Sequence, residues 1–171
     1  RISDLYSKPS LWGSKGPVAD GVNQGSLGDC WFLAAMASMA EWEDRIKAVF
    51  TNKDYSNEGI FELNMWHYGE PVKVTIDDAL PSRSSTGFSP ISLRQGRNGG
   101  WWGPLLEKAA AKYYGTYENM NGGMMDEAFY ALTGSPSITV DHTRENDLWG
   151  KLHKWEKNHY MMSSANFNNA Y

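Results

Sequence analysis

Gln24-Gly25-Ser26-Leu27-Gly28-Asp29-Cys30-Trp31-Phe32-Leu33-Ala34-Ala35 is the stretch whose reading decides the fold. Its left half is turn-rich, its right half is apolar, and the only cysteine of the chain stands at the join. Asp29 is a favoured N-cap residue, so the pattern predicts a helix beginning at Cys30. Phe32, Leu33, Met36, Met39 and Ala40 recur at helical spacing and define one buried face. The thiol then lies in the first helical turn, where unpaired backbone N–H groups and the helix dipole favour an anion. Thiolate is the reactive form of cysteine. A helix end contributes only about 0.3–1 kcal/mol, and the Asp29 carboxylate opposes it. A nucleophile at neutral pH therefore needs an imidazole partner as well. The competing reading of Cys30 is a small buried hydrophobe ahead of an apolar helix. Gln24 favours the catalytic reading, because an amide beside a helix N-terminus can join the Cys30 backbone N–H in an oxyanion hole. Gly25 and Gly28 let the backbone between them fold closely.

Composition sets the frame. A length of 171 residues suffices for one domain with its own core. A formal charge of -4 gives no reason to expect nucleic-acid binding. One cysteine cannot form an internal disulfide, which fits a reducing compartment such as the cytoplasm. The longest unbroken apolar run, Trp31 to Ala37, is far too short to span a bilayer. Arg1-Ile2-Ser3-Asp4 lacks the apolar core of a signal peptide. The expectation is a soluble cytoplasmic protein, or a piece of a longer one.

Outside the opening stretch, Arg1 to Val22 reads as loop anchored by Leu11 and Trp12. A short helix is expected over about Glu43 to Phe50. Phe61, Leu63 and Met65 alternate with polar neighbours, as do Val72, Val74 and Ile76. Gly69-Glu70-Pro71 lies between the two runs, so they predict a hairpin. Asp77-Asp78 is a paired carboxylate in form, but a strand end before a proline turn is the simpler account. Pro81 to Gly100 reads as loop, in which Arg94 and Arg97 lack the strand-to-helix context of a phosphate site. Trp102, Leu105, Leu106, Ala109 and Tyr113 define a second amphipathic helix, expected to pack on the Cys30 helix and to end at Gly115. Asn121-Gly122-Gly123 is a turn that can bring backbone close to a ligand. A short helix follows over Asp126 to Leu132, then an extended piece near Ser137 to Asp141. Asn146 or Asp147 caps a last helix carrying Leu148, Trp149, Leu152 and Trp155, and Met161 to Phe167 opens a further apolar segment.

The run Gln24 to Ala35 closely resembles the active-site segment of the calpains, papain-like intracellular cysteine proteases. The resemblance continues through Phe61 to Glu70, Val72 to Pro81, Trp102 to Lys112 with Leu105-Leu106-Glu107-Lys108-Ala109, and Tyr117-Glu118 followed by Asn121-Gly122-Gly123. It implies an α+β papain-like fold: a mainly helical first subdomain with a small β-hairpin, residues 1–160, and only the start of a second β subdomain, residues 161–171. It implies a cysteine endopeptidase acting on protein or peptide substrates. Cys30 would be the nucleophile, and Gln24 with the Cys30 N–H the oxyanion hole. Gly122 and Gly123 would hold substrate backbone in strand-like fashion, with Trp31 beside them. The chemistry itself needs no cofactor. Typical calpains carry a calcium loop near Asp20, but Asp20 is one residue out of register, and Gly21 and Gly100 stand where the two acidic ligands belong. Calcium needs several oxygen ligands with carboxylate charge, so this site is expected to be lost or weak.

The proton carrier is the gap. Thiol protease chemistry needs a histidine base and a group to orient it. In calpains both belong to the second subdomain. None of His67, His142, His153 and His159 has the family's glycine-histidine-alanine-tyrosine context. His142 is the best fallback base, and no Cys or His pair has zinc-ligand spacing. Asn168-Asn169-Ala170-Tyr171 faintly echoes that histidine motif with Asn169 in the histidine's place, which would make a dead protease; truncation before the true histidine is the preferred reading. The rival function is a catalytically inactive calpain-fold scaffold in a larger assembly, whose aromatic surface meets another protein where the second catalytic subdomain would dock.

Overall fold

The computed structural model describes residues 1–82 and 90–166. It is an α+β fold built from six helices and one two-stranded antiparallel sheet among the described residues. In order these are α1 (Ile2–Leu5), α2 (Cys30–Met39), α3 (Glu43–Val49), β1 (Ile60–His67), β2 (Glu70–Asp77), α4 (Trp102–Tyr113), α5 (Met125–Thr133) and α6 (Leu148–Lys157). Single 3-10 turns occupy Ala19–Gly21 and Glu118–Met120. Leu11 is buried and Trp12 partly so, as the sequence pattern requires of anchors for the first loop.

The hairpin is tighter than the sequence suggests. Its turn is Tyr68-Gly69, with His67 opposite Glu70. Both turn residues have positive φ, 48° and 83°, the backbone that matches the twist of a two-residue hairpin. Pro71 therefore lies inside β2, opposite Trp66, rather than in the turn. Proline is tolerated there because β2 is an edge strand with a free side. Phe61, Leu63 and Met65 are buried on the face shared with Val74 and Ile76, while Val72 is exposed.

The helices divide over this sheet. α5 packs on β1 and α2 packs on α5, whereas α4 packs chiefly on β2. The expected pairing of α4 with α2 is thus indirect: both feed one core containing Phe32, Phe61, Trp101, Trp102 and Leu105, but α2's main partner is α5. α4 is stitched to the hairpin by polar ends. The Lys112 ammonium donates to the Thr75 carbonyl at 2.6 Å, and the Tyr113 hydroxyl donates to the Trp66 carbonyl at 2.8 Å. Lys108 pairs with Asp77. α5 ends at Gly134 in the left-handed region, φ 69°, a backbone that glycine adopts without a Cβ penalty. Asp147 caps α6, accepting from the Gly150 N–H at 3.2 Å. The stretches at 137–141 and 161–166 join no sheet among the described residues. Phe167 and the Asn168 to Tyr171 echo lie outside the described residues.

Asp78 is neither catalytic nor a plain strand end. It is fully buried and accepts from the Ser3 N–H at 3.0 Å and the Tyr55 hydroxyl at 2.9 Å, with the Arg1 guanidinium alongside. This one carboxylate fastens α1 and the 55–59 loop to the end of β2.

Candidate active site

α2 begins at Cys30, and the thiol is exposed at its head. The Asp29 carbonyl accepts from the Phe32 and Leu33 N–H groups at 2.9 and 3.1 Å. The Cys30 N–H has no partner among the described residues, which leaves it available to an anion beside the sulfur. The rest of α2 is buried, with Trp31, Phe32, Leu33, Ala35 and Met36 in the core. The small-hydrophobe reading of Cys30 therefore does not fit its exposure.

Two loops converge on this helix head. The first is the turn from Gln24 to Gly28. Its Ser26 N–H donates to the Ile91 carbonyl at 2.9 Å, and its neighbour Asn23 accepts from the Arg94 N–H at 2.9 Å. A Cβ at Gly25 would stand 2.1 Å from the Ser92 carbonyl oxygen, so only glycine permits this approach. The second loop is 120–123. The Gly122 N–H donates to the Gly28 carbonyl at 2.8 Å, and the Trp31 indole N–H donates to the Met120 carbonyl at 2.9 Å. Gly123 lies on the Trp31 ring so closely that a Cβ there would be 2.4 Å from it.

Cys30, Trp31, Gly122, Gly123, Met124 and His142 line one open cleft of about 1960 Å³. Small-molecule pockets occupy roughly 300–1,000 Å³, so this space suits polypeptide. Gln24 is exposed and does not line it; its amide donates to the Leu27 carbonyl at 3.0 Å, across its own turn. Trp31 is largely buried, so most of its surface supports Gly123 and the 120–123 loop. No hydrogen bond joins Cys30 to a histidine among the described residues. His67 meets the Tyr113 hydroxyl at 3.0 Å, His159 stacks edge-on against Trp42, and His142 and His153 are exposed.

Asp29 corrects the sequence reading. It occupies the N-cap position, but its carboxyl makes no cap bond and is fully buried, turned towards α4 and Glu107. Burial pushes both carboxyls upward, and contact with Asp29 pushes Glu107 further. In the sequence, Glu107 stands only as one residue of the Leu105–Ala109 run, with no role attached. The hint is the helical face it shares with Gly103, Pro104, Ala110 and Ala111, none of them polar.

Gly21 and Gly100, at the positions of the family's acidic calcium ligands, are closely packed. A Cβ at Gly21 would lie 2.8 Å from the Trp102 indole nitrogen, and one at Gly100 would lie 2.9 Å from the Trp12 carbonyl oxygen. Neither place has room for a carboxylate. Asp20 faces Arg97 at 3.4 Å. Among the described residues, no group of three or more His, Cys, Asp or Glu side chains is arranged to hold a metal. Among the described residues, no helix is long and apolar enough to cross a membrane.

The α+β domain thus presents an exposed thiol at the head of a buried helix, with an unpartnered N–H beside it, on a cleft that Gly122 and Gly123 also line. Comparison with known proteins gives the family. A sequence model described as calpain family cysteine protease matches residues 1–170, and the chain belongs to that family. It is 36% identical to Calpain-14 of Homo sapiens over 156 residues, covering 89% of this chain and 22% of that protein. It is 39% identical to Calpain-12 of Homo sapiens over 130 residues, 74% of this chain and 18% of that protein. It is 32% identical to the calpain-type cysteine protease DEK1 of Arabidopsis thaliana over 167 residues, 93% of this chain and 8% of that protein. The chain thus spans between 8% and 22% of the length of these relatives.

Proposed function

We propose that the chain is the nucleophile-bearing subdomain of a calpain-type, papain-like cysteine endopeptidase. Residues 1–160 form that subdomain, and residues 161–171 lead into a second, β-rich one. The observation that carries this is the exposed Cys30 thiol at the head of buried α2, on the same cleft as Gly122 and Gly123. Cys30 sulfur attacks the peptide carbonyl, and the carbonyl oxygen gains charge beside the free Cys30 N–H. Gln24 supplies the second donor once its amide turns from Leu27. Gly122 and Gly123 pair with the substrate main chain. The imidazole base comes from the second subdomain, docked against the open side of the cleft. The family's calcium site is lost or weak here, a reading supported by the close packing around Gly21 and Gly100. The unpaired thiol suits the cytoplasm.

The alternative is a catalytically inactive scaffold. It is favoured by the lack of a histidine bonded to Cys30 among the described residues and by the exposed Trp149 of α6. An electrophilic peptide probe applied to the intact protein separates the two. Covalent modification mapped to Cys30 is the expected result, and no modification at any concentration favours the scaffold. Residues 1–171 alone are expected to hydrolyse peptides at no more than background rate, because no histidine is bonded to the sulfur among the described residues.

A further inference from the structure

The buried carboxyls of Asp29 and Glu107 lie where every part of the candidate site meets. Both are fully buried, as is Ser92. Glu107 projects from α4, and Asp29 precedes the nucleophile. The Leu93 N–H donates to Glu107 Oε2 at 2.8 Å. The Ser92 hydroxyl borders Glu107, and the Tyr117 hydroxyl borders Ser92. Ser92 is also the residue whose carbonyl backs Gly25. The cluster therefore sits under the head of α2, under the Gln24–Gly28 turn, and at the root of the loop that carries Gly122 and Gly123.

Apart from the Asp29 backbone N–H and the Ser92 hydroxyl that border them, neither Asp29 oxygen nor Glu107 Oε1 has a donor among the described residues, and neither carboxyl is paired with a cation. Yet the two carboxyls lie against each other, each acting on the other's protonation. A carboxylate only accepts, so two of them in contact repel. One proton between them turns the same contact into a charge-assisted O–H···O⁻ bond. It also satisfies oxygens that would otherwise be buried at a cost.

We propose that Asp29 and Glu107 hold a single proton between them, and that Glu107 is thereby a positioning residue: through Asp29 it fixes the head of the nucleophile helix, and through Leu93 and Ser92 it fixes the Gln24–Gly28 turn. The pair then places one negative charge behind the Cys30 sulfur rather than two. This role in the reaction rests on the proposed protease function; the shared proton does not.

The proton makes stability depend on pH with a defined sign. Burial, then Asp29, raises Glu107 from an ordinary 4.5 to about 9 in the folded protein. The folded state keeps a proton that the unfolded chain has released. Stability from this pair is complete below about pH 4.5 and is lost as pH rises towards 9. Among the described residues Tyr117, from the turn before Glu118, also faces the pair, and burial raises it above its usual range, so it stays neutral throughout.

The test compares the intact protein with Glu107→Gln and Glu107→Ala. Unfolding is followed by denaturant titration from pH 5 to 9, and Cys30 alkylation by iodoacetamide is followed at pH 7. Glutamine keeps an acceptor for Leu93 and an N–H donor for Asp29, and so mimics the protonated acid. In the parent protein the folding constant should fall with pH by up to about tenfold per unit. Glu107→Gln should flatten that fall and leave alkylation within about twofold of the parent. Glu107→Ala should weaken folding throughout and change alkylation by about tenfold or more, since a small displacement at a reacting group has effects of that order. A pH slope unchanged by Glu107→Gln would overturn the shared proton. A Glu107→Gln protein as impaired as Glu107→Ala would overturn it too. A lost slope together with a Cys30 that no peptide probe modifies would leave the proton standing and sink the protease reading alone.

Discussion

Gly123→Ala should reduce labelling of Cys30 by a peptide probe by about 100-fold while the protein stays folded, because misplacing a substrate-positioning group by about an ångström costs that much. The added Cβ would stand 2.4 Å from the Trp31 ring. Trp31 cannot yield easily, as it is buried, bonded to the Met120 carbonyl and packed edge-on against Phe32 and Tyr114. The 120–123 loop is the softer partner, so it moves away from the sulfur and takes Gly122 with it. Iodoacetamide, which needs no main-chain pairing, separates the two effects. Its rate should stay near that of the parent protein. An equal loss with both reagents would mean that the loop shapes the thiol and not the peptide site.

Asp78→Ala is expected to be the most destabilising single change, at about 3 kcal/mol, through leaving buried donors without an acceptor. By the usual scaling for a chain of this size that is roughly 10 °C in Tm. The Ser3 N–H and the Tyr55 hydroxyl lose their partner, and Arg1 loses its anion. Burial alone would raise this carboxyl, but bonds from Ser3, Arg1 and Tyr55 outweigh burial and hold it at about 2, against an ordinary 3.8. The folded state therefore binds its proton later than the unfolded chain does. The contribution is complete above pH 3.8 and is lost as pH falls through about 2. Acid titration of unfolding in the parent protein and in Asp78→Asn should differ above pH 3.8 and converge at the acid end. Curves that stay parallel to pH 2 would refute this account.

The helix head and the first strand were legible because their signals are local. A capping residue, an apolar 3.6-residue period and flanking glycines placed the head of α2 at Cys30 without reference to the rest of the chain. The alternation at Phe61, Leu63 and Met65 did the same for β1. What escaped were relations across long separations. Asp29 has the chemistry of a cap, and nothing near it announces that its carboxyl instead faces Glu107, 78 residues on. Asp78 finds Arg1 and Ser3 at the opposite end of the sequence. The hairpin turn was displaced because Pro71 reads as a breaker, and only the pairing of strands reveals that its missing N–H points away from the ladder. The α2–α4 packing was inferred from two amphipathic faces, and faces alone do not specify which helix meets which.

α6 buries none of its residues and leaves Trp149 81% exposed. It is tied back through few polar bonds, among them the Met162 N–H to the Ser38 hydroxyl and the Arg45 guanidinium to the His159 carbonyl. Such a helix should open locally at little cost, and its amides should exchange with deuterium far sooner than those of α2. Slowed exchange confined to α6 would then serve as a built-in gauge of whatever polypeptide closes over the cleft.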